Sequence, residues 1–416
     1  MPAPSIARTV ASFPETTFGT GPTDWDVDAN VVEFACIEPD ISGLNRQTHD
    51  NQNYRQRPLA TRQKILGLRN GEFTFGLYPT GRNVVTANAA NATSFHFADM
   101  VHNAWGGRRL TRANGTQTPS ATAPEVTATE GAEYEPGDIV LGINDTTGNA
   151  YFVVVDSIAA DTLTLREACP EVIDTVGATV QLYPNGRAMA DRDDADHVVH
   201  SFFFRGEEPT DNREANACKL VIDALDALTQ GESPILRFKG MAATYSVPAT
   251  QPDLAGALEG ELPQTLATST DTYCRYGDRG ADYPAADNYV LSATATPGVS
   301  SEPVGAVGGV EGRVGYHLAG LDETMFEISV PWDRQWEVDK DAGTRKKLLL
   351  QVGRTRETMW GVYFPNLEIV DVVRPPGEQE TMATITMRAL EHDGASTQTG
   401  NALEKWRAKM HILCGA

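Results

Sequence analysis

The densest group of potential metal ligands in the chain lies between residues 191 and 200. Its members are Asp191, Asp193, Asp194, Asp196, His197 and His200. An EF-hand loop starting at Asp191 would need a ligand where Ala195 stands and a bidentate glutamate where Phe202 stands, so that motif is excluded. His197 and His200 supply only half of a zinc ligand set. We interpret the cluster as a solvated acidic loop, with a weak cation site at a subunit interface as the alternative.

The chain lacks the short motifs of nucleotide binding and of serine hydrolases. No Gly-Lys dipeptide occurs, so there is no lysine placed for a Walker A phosphate loop. The glycine-rich run Gly305–Gly312 fails the GxGxxG spacing, and neither flank predicts a βαβ unit. We predict a flexible loop or a bulged strand there. A GxSxG nucleophile elbow is also missing.

Paired carboxylates and aromatic side chains could together form a carbohydrate site. Glu207 and Glu208 are adjacent, and Trp332, Trp336 and Trp360 could line such a site. Carboxylate pairs are expected by composition in so acidic a chain, and tryptophans serve more often as core or interface anchors. We therefore assign no catalytic, cofactor-binding or metal-binding residue, and we predict that the protein is not an enzyme and uses no cofactor.

Composition limits the classes of partner. The 416 residues predict two or three structural units. With 34 basic and 56 acidic residues the net charge is −22, which disfavours tight DNA binding but suits an acidic channel through which DNA slides. The five cysteines are widely spaced, so we expect buried, reduced thiols. No signal-peptide core or membrane-span pattern occurs, so we expect a protein made in the cytoplasm without a membrane partner.

Strand patterns dominate the elements that would position these residues. Phe73, Phe75 and Leu77 alternate with polar or small residues, and similar alternation recurs in the C-terminal part of the chain. At the C-terminal end, alternation also predicts a strand with Trp406, Ala408, Met410 and Ile412 on one face.

Helices are the minority prediction. A short one is expected around residues 95–104. The strongest helical pattern runs from Arg213 to Leu228, where Cys218, Val221, Ile222, Leu225 and Leu228 share a face. Asp211 and Glu214 resemble a capping box before it.

The expected layout is mainly β, with an inserted unit. Residues 1–30 predict an extended N-terminal arm that is not part of the core. Residues 31–125 and 185–255 form a first large β domain, and residues 256–416 form a second. Residues 112–130 predict a linker without apolar periodicity, and residues 131–184 predict a small inserted β-barrel, because short strands there are separated by turn residues.

Several segments resemble the tail tube proteins of long-tailed bacteriophages. In the C-terminal part the resemblance lies in Phe326–Trp332, Leu348–Gly353, Trp360–Ile369, Pro375–Gly377 and Ala383–Glu391. In the N-terminal half it lies in Arg57–Arg62 and Gly67–Tyr78. Together these segments are similar to the family over about half of the chain. The inserted unit and the long N-terminal arm depart from the family's pattern.

The resemblance implies two tube-like β-barrel or sandwich domains, each with a flanking helix. It further implies trimeric or hexameric rings of identical chains that stack into a hollow conduit for DNA in the virion tail. Partners would then be further copies of the chain, the tape measure and terminator proteins, and DNA only in transit. Two alternatives stay open, another ring-forming tail component (baseplate hub, distal tail or tail terminator protein) and a β-sandwich carbohydrate-active protein.

Overall fold

A computed structural model provides the architecture for most of the chain. It describes residues 9–25, 31–34, 36–44, 48–50, 64–66, 71–79, 96–185, 190–191, 199–206, 211–229, 234–248, 252, 258–259, 272–279, 290–311, 313–319, 324–354, 359–374, 382–392 and 405–415.

The elements of the first half are mostly strands. The strands are β1 Thr9–Pro14, β2 Val32–Phe34, β3 Ile37–Asp40, β4 Thr48–Asp50, β5 Lys64–Leu66, β6 Gly71–Leu77, β7 Gly106–Thr111, β8 Asn114–Ser120, β9 Glu125–Val126, β10 Ile139–Ile143, β11 Ala150–Ala159, β12 Thr162–Leu165, β13 Ile173–Gly177, β14 Thr179–Pro184, β15 Ala190–Asp191 and β16 His200–Arg205. Helix α1 spans His96–Trp105, and a 3-10 turn spans Gly131–Glu133.

The second half continues in the same way. The strands are β17 Arg213–Thr229, β18 Ile235–Ser246, β19 Leu258–Glu259, β20 Thr272–Asp278, β21 Ser292–Thr296, β22 Ser300–Val310, β23 Arg313–Ala319, β24 Met325–Pro331, β25 Arg345–Val352, β26 Trp360–Val373, β27 Met382–Ala389 and β28 His411–Gly415. Helix α2 spans Gln335–Ala342. The mainly β fold class predicted from the sequence is confirmed.

Two long strands, β17 and β26, organise the 17-stranded main sheet. Along one edge β17 pairs with β18; along its other edge it pairs first with β16 and then with β21. In the same way β26 pairs with β25 along one edge, and with β28 and then β27 along the other. We call β17 and β26 the hub strands. Strand β24 lies between β21 and β27 and so connects the two hubs.

Six strands form a closed barrel that is inserted into this sheet. The barrel order is β10-β11-β12-β9-β8-β13. Its chain leaves the main sheet after β7 and returns in β14, and these two strands pair with each other from Gly106 opposite Pro184 to Thr111 opposite Thr179. The predicted inserted barrel is therefore present, but it begins at Asn114, and the strand at residues 179–184 belongs to the main sheet.

The two halves share one apolar core. A single cluster of buried side chains includes Phe75 and Phe202 from the first half and Phe364 and Ile385 from the second. Direct strand pairing also joins the halves, since β17 pairs with β21 and β14 pairs with β28. The two predicted large β units thus meet in one continuous sheet.

The predicted helix at Arg213–Leu228 is wrong, because this segment is the hub strand β17. Its pairing registers shift between Ile222 and Ala224 and again between Asp226 and Leu228, and Ala217 has a φ of 49°. Each irregularity adds one residue to the strand, so the step between core positions lengthens from two residues to three. Steps of two and three residues imitate the spacing of a helical face.

Three other expectations need correction. Residues 9–14 are not a free arm, because β1 lies between β16 and β2 and the side chains of Val10 and Ala11 are fully buried. Residues 112–130 are not a linker, because they contain barrel strands β8 and β9. At the C-terminal end, residues 405–407 form a helical turn and the strand begins only at His411. Strand β8 has no large apolar side chain, so an alternation of apolar residues could not reveal it.

Candidate assembly site

The acidic cluster at residues 191–200 is only partly described. Asp191 belongs to β15, which pairs with β23, and residues 192–198 lie outside the described part. His200 is buried in β16, and its Nδ1 lies 2.8 Å from Asn103 Nδ2. His200 is therefore a core residue and not part of a solvated loop. Within the described residues, no three His, Cys, Asp or Glu side chains are grouped to hold a metal ion.

The aromatic residues considered for a sugar site do not form an open platform. Trp336 is 4% exposed and Trp360 is fully buried. Trp332 is half-buried, and the guanidinium carbon of Arg374 lies 3.7 Å from its ring centroid. The interpretation of Trp336 and Trp360 as core anchors is confirmed. The carboxylate pair Glu207 and Glu208 lies outside the described residues.

All five cysteines are free thiols, and four of them are buried. Burial raises the pKa of Cys169 to about 11 and that of Cys36 and Cys414 to about 12. Thiols held protonated in this way are poor nucleophiles. The expectation of buried, reduced cysteines is confirmed for Cys169, Cys218, Cys274 and Cys414, whereas Cys36 is half-buried.

A strand with one open edge is the first feature suited to assembly. Among the described strands, β7 pairs only with β14. The side chain of Arg109 on β7 already has a partner in Asp138. Leu110 on β7 is 38% exposed. An open edge presents backbone N–H and C=O groups that another chain can pair with.

A glycine-rich hairpin is the second such feature. Strands β22 and β23 pair from Ser300 opposite Ala319, and the register breaks between Gly305 and Val310. The described part of the glycine-rich run, residues 305–311, thus agrees with the predicted bulged strand. Val307, at this break, has a relative exposure of 108% and is the most exposed large apolar side chain of the described residues.

The part of the hairpin next to its turn is fixed to the main sheet. The ring of Tyr316 is fully buried, and its hydroxyl lies 2.9 Å from Ala217 O and 3.1 Å from Met241 O. Arg313 donates to Ala242 O at 2.9 Å. Phe18, which follows β1, packs with its ring centroid 5.9 Å from that of Tyr316. A hairpin that is held in place and exposes Val307 fully suits a contact with another chain.

Buried charges fix the barrel to the main sheet. Lys347 of β25 and Glu167, which follows barrel strand β12, form an ion pair in which both side chains are 4% exposed. On the other side, Lys405 bonds Asp138 at 2.6 Å, and these two side chains are 1% and 0% exposed. An apolar contact joins Phe152 of the barrel to Leu349 and Met359. The barrel is therefore a fixed part of the fold.

Three amide side chains add a shared hydrogen-bonding pattern, which we call the amide clips. Asn103 of α1 donates to Cys218 O and accepts from Leu220 N–H. Gln181 of β14 donates to Gly137 O and accepts from Ile139 N–H. Gln351 of β25 donates to Ala150 O and accepts from Phe152 N–H. Each clip donates to the C=O of one residue and accepts from the N–H of the residue two positions later.

Sequence reasoning missed the clips and the ion pairs, since isolated Asn, Gln and Lys residues in strand patterns carry no signal of their buried partners. It did single out the hairpin run, through its glycines.

No helix in the described part of the chain is long and apolar enough to cross a membrane. In comparisons with known proteins, no protein-family model matches the chain and no curated protein matches it significantly.

Proposed function

We propose that the chain is the repeating subunit of a self-assembling tube, the tail tube of a long-tailed bacteriophage. One observation carries the proposal. Four segments that resemble the family, in Phe326–Trp332, Leu348–Gly353, Trp360–Ile369 and Ala383–Glu391, fall on β24, β25, β26 and β27. These strands are contiguous in the sheet in the order β25-β26-β27-β24. The four segments thus form one contiguous part of the sheet around the hub strand β26.

The features that suit assembly support the same reading. The open edge of β7 offers backbone pairing to a neighbouring copy, and the fully exposed Val307 of the hairpin offers an apolar contact. Closure of a ring would satisfy such edges, which isolated sheets leave as aggregation sites. The net charge of −22 favours a lumen that DNA passes without binding.

The test is electron microscopy of the purified full-length chain. Subunits with this charge repel one another, and salt screens the repulsion over about 8 Å at physiological ionic strength. The protein is therefore examined by negative stain and by light scattering over a range of concentration and salt. We expect hollow stacked rings whose abundance rises with both. A chain that stays monomeric under all conditions would overturn the proposal.

A single-ring tail component is distinguished by the same images. A repeating tube subunit gives tubes of many rings, whereas a hub, distal tail or terminator protein gives one ring that does not grow with concentration. Assembly into isolated rings only would therefore replace the tube with a single-ring role.

A further inference from the structure

Two buried histidines contact two of the amide clips. Asn103 Nδ2 lies 2.8 Å from Nδ1 of His200, and Gln181 Nε2 lies 3.1 Å from Nδ1 of His411. Both imidazoles are 4% exposed. His200 lies on β16 and His411 on β28, which are the strands that pair with the first part of each hub strand. Each hub strand therefore has, on one neighbouring strand, a buried histidine that contacts an amide clip.

The backbone fixes which atom of each amide faces the histidine. The amide oxygen of Asn103 accepts from Leu220 N–H at 2.7 Å, and its nitrogen donates to Cys218 O at 3.0 Å. A flipped amide would lose both bonds. The second N–H of the amide nitrogen therefore points at His200 Nδ1, which must accept. The same reasoning holds for Gln181, whose oxygen is fixed by Ile139 N–H and whose nitrogen is fixed by Gly137 O.

An accepting Nδ1 means a neutral imidazole with its proton on Nε2. Protonation would place an N–H on Nδ1 opposite the N–H of the amide, so two donors would face each other. The clip would then have to leave either the imidazole or its backbone partners. Neither network can hold a charged histidine in its present geometry.

Burial and the cations around each histidine also disfavour its protonated form. His200 is faced by Lys219 of β17 and by His102 of α1, and His102 in turn lies near Arg108, which bonds Asp99. Glu15, after β1, accepts from the neighbouring Ser201. His411 is faced by Lys405, Arg166 and His392, and by the rings of Tyr183 and Tyr363. Burial first, and then Lys219 at His200 and Lys405, Arg166 and His392 at His411, lower the pKa of both histidines to about 3.

We propose that His200 and His411 are a pair of acid-sensitive locks, each of which opens one amide clip when its imidazole takes up a proton. Opening at His200 releases α1 from β17. Opening at His411 releases the barrel segment at residues 137–139 from β14. Within the described residues, the third clip, at Gln351, hydrogen-bonds no histidine, and together with the buried ion pairs it keeps the barrel attached.

The direction in which pH shifts the opening equilibrium follows from proton binding. The closed state binds no proton on the imidazole until about pH 3, whereas the opened state binds one near the ordinary pKa of 6.5. The closed state is therefore fully favoured above pH 6.5 and loses its advantage as the pH falls. For one proton, the opening equilibrium rises about tenfold per pH unit in this window.

Amide hydrogen exchange of the full chain between pH 7 and pH 4.5, corrected for intrinsic rates, tests the locks. Wild-type exchange at residues 96–105 should rise about tenfold per pH unit below 6.5. The His200→Gln variant, which keeps an acceptor but cannot titrate, should show no such rise, and His411→Gln should remove only the rise at residues 137–143. His317→Gln, at an exposed histidine, is the matched control. Equal slopes in wild type and His200→Gln would overturn the proposal.

A second measurement does not need the variants to fold. Nitrogen-15 spectra of the histidine-labelled wild type should show at least two of the eight histidines as neutral Nε2–H tautomers that do not titrate down to pH 5. Fewer than two such histidines would also overturn the proposal. Neither measurement depends on tube assembly, so the outcome is separate from that of the proposed function.

Discussion

The amide clips show how single polar residues can join elements that have no ladder in common. An extended segment presents the C=O of one residue and the N–H of the second next residue on the same side, and a primary amide carries a matching acceptor and donor. Asn103, Gln181 and Gln351 use this match across α1, the barrel and the main sheet. Buried backbone groups that would otherwise lack partners are satisfied in this way.

Replacing Asn103 with leucine should weaken the fold measurably. The change leaves Cys218 O, Leu220 N–H and His200 Nδ1 without this partner in a site that is fully buried. Because an unsatisfied buried group costs about 1–3 kcal/mol, we expect the free energy of unfolding to fall by about 3 kcal/mol. Chemical denaturation measures it. The exposed amide of Gln117 supplies the control, since Gln117→Leu should change stability by less than about 0.5 kcal/mol. Equal effects would show that the clip does not stabilise the fold.

The Lys347–Glu167 pair makes a second prediction at this scale. Lys347→Met alone leaves the Glu167 carboxylate buried, with its side chain 4% exposed. Breaking a buried pair from one side costs about 3–5 kcal/mol, whereas replacing both partners by apolar residues is often neutral. We therefore expect the Lys347→Met/Glu167→Leu double variant to recover most of the unfolding free energy that Lys347→Met loses. A double variant no more stable than the single one would mean that other contacts of these residues dominate.

At the scale of elements, the hub strand β17 explains where sequence reasoning failed. The side chains through which it joins the main apolar core, Cys218, Leu220 and Ile222, do alternate, as a strand requires. Ala217 and Lys219 are buried as well. The bulges before and after this stretch each add one residue between core positions. As a result, Ala215, Cys218, Ile222 and Leu225 match a helical face equally well. Pairing partners far along the chain decide between the two, and no local pattern contains them. By contrast, β6 and β27 have unbroken alternation and were predicted correctly.

The hairpin of β22 and β23 allows a test of one element alone. Tyr316→Phe removes the hydroxyl that lies within hydrogen-bond distance of Ala217 O and Met241 O, but it keeps the buried ring. We expect local opening of the hairpin to become easier by about 1–2 kcal/mol, because the carbonyls lose a donor. Amide hydrogen exchange at residues 300–319 should rise, while exchange in the barrel stays unchanged. A uniform rise over both regions would indicate a global effect and not a hairpin anchor.

At the scale of the whole molecule, the two hubs show a regularity that the sequence did not reveal. Each hub strand pairs with one partner along one edge and two successive partners along the other, and each carries a buried histidine on the first of these two. The sequence predicted two β units from strand patterns alone. It could not predict that they share one sheet, because the connecting pairs β17–β21 and β14–β28 join residues more than 60 positions apart.

The hairpin tip gives the most direct test of assembly at this scale. Val307 is fully exposed, so Val307→Asp should leave the stability of the single chain within about 0.5 kcal/mol. If the tip is buried against another copy, the same change places an unpaired carboxylate in an apolar contact, at a cost of at least about 1.4 kcal/mol per contact, and the concentration needed for assembly rises about tenfold or more. Light scattering at fixed salt measures that concentration.

The control for this test is Val172→Asp, at a barrel position that is 45% exposed. Both variants add one negative charge, so their long-range repulsion is matched, and only the local contact differs. We expect Val172→Asp to assemble at nearly the wild-type concentration. If both variants shift the threshold equally, the added charge and not the hairpin contact is responsible. If neither shifts the threshold, Val307 lies outside the contacts between copies, and the open edge of β7 becomes the surface to test.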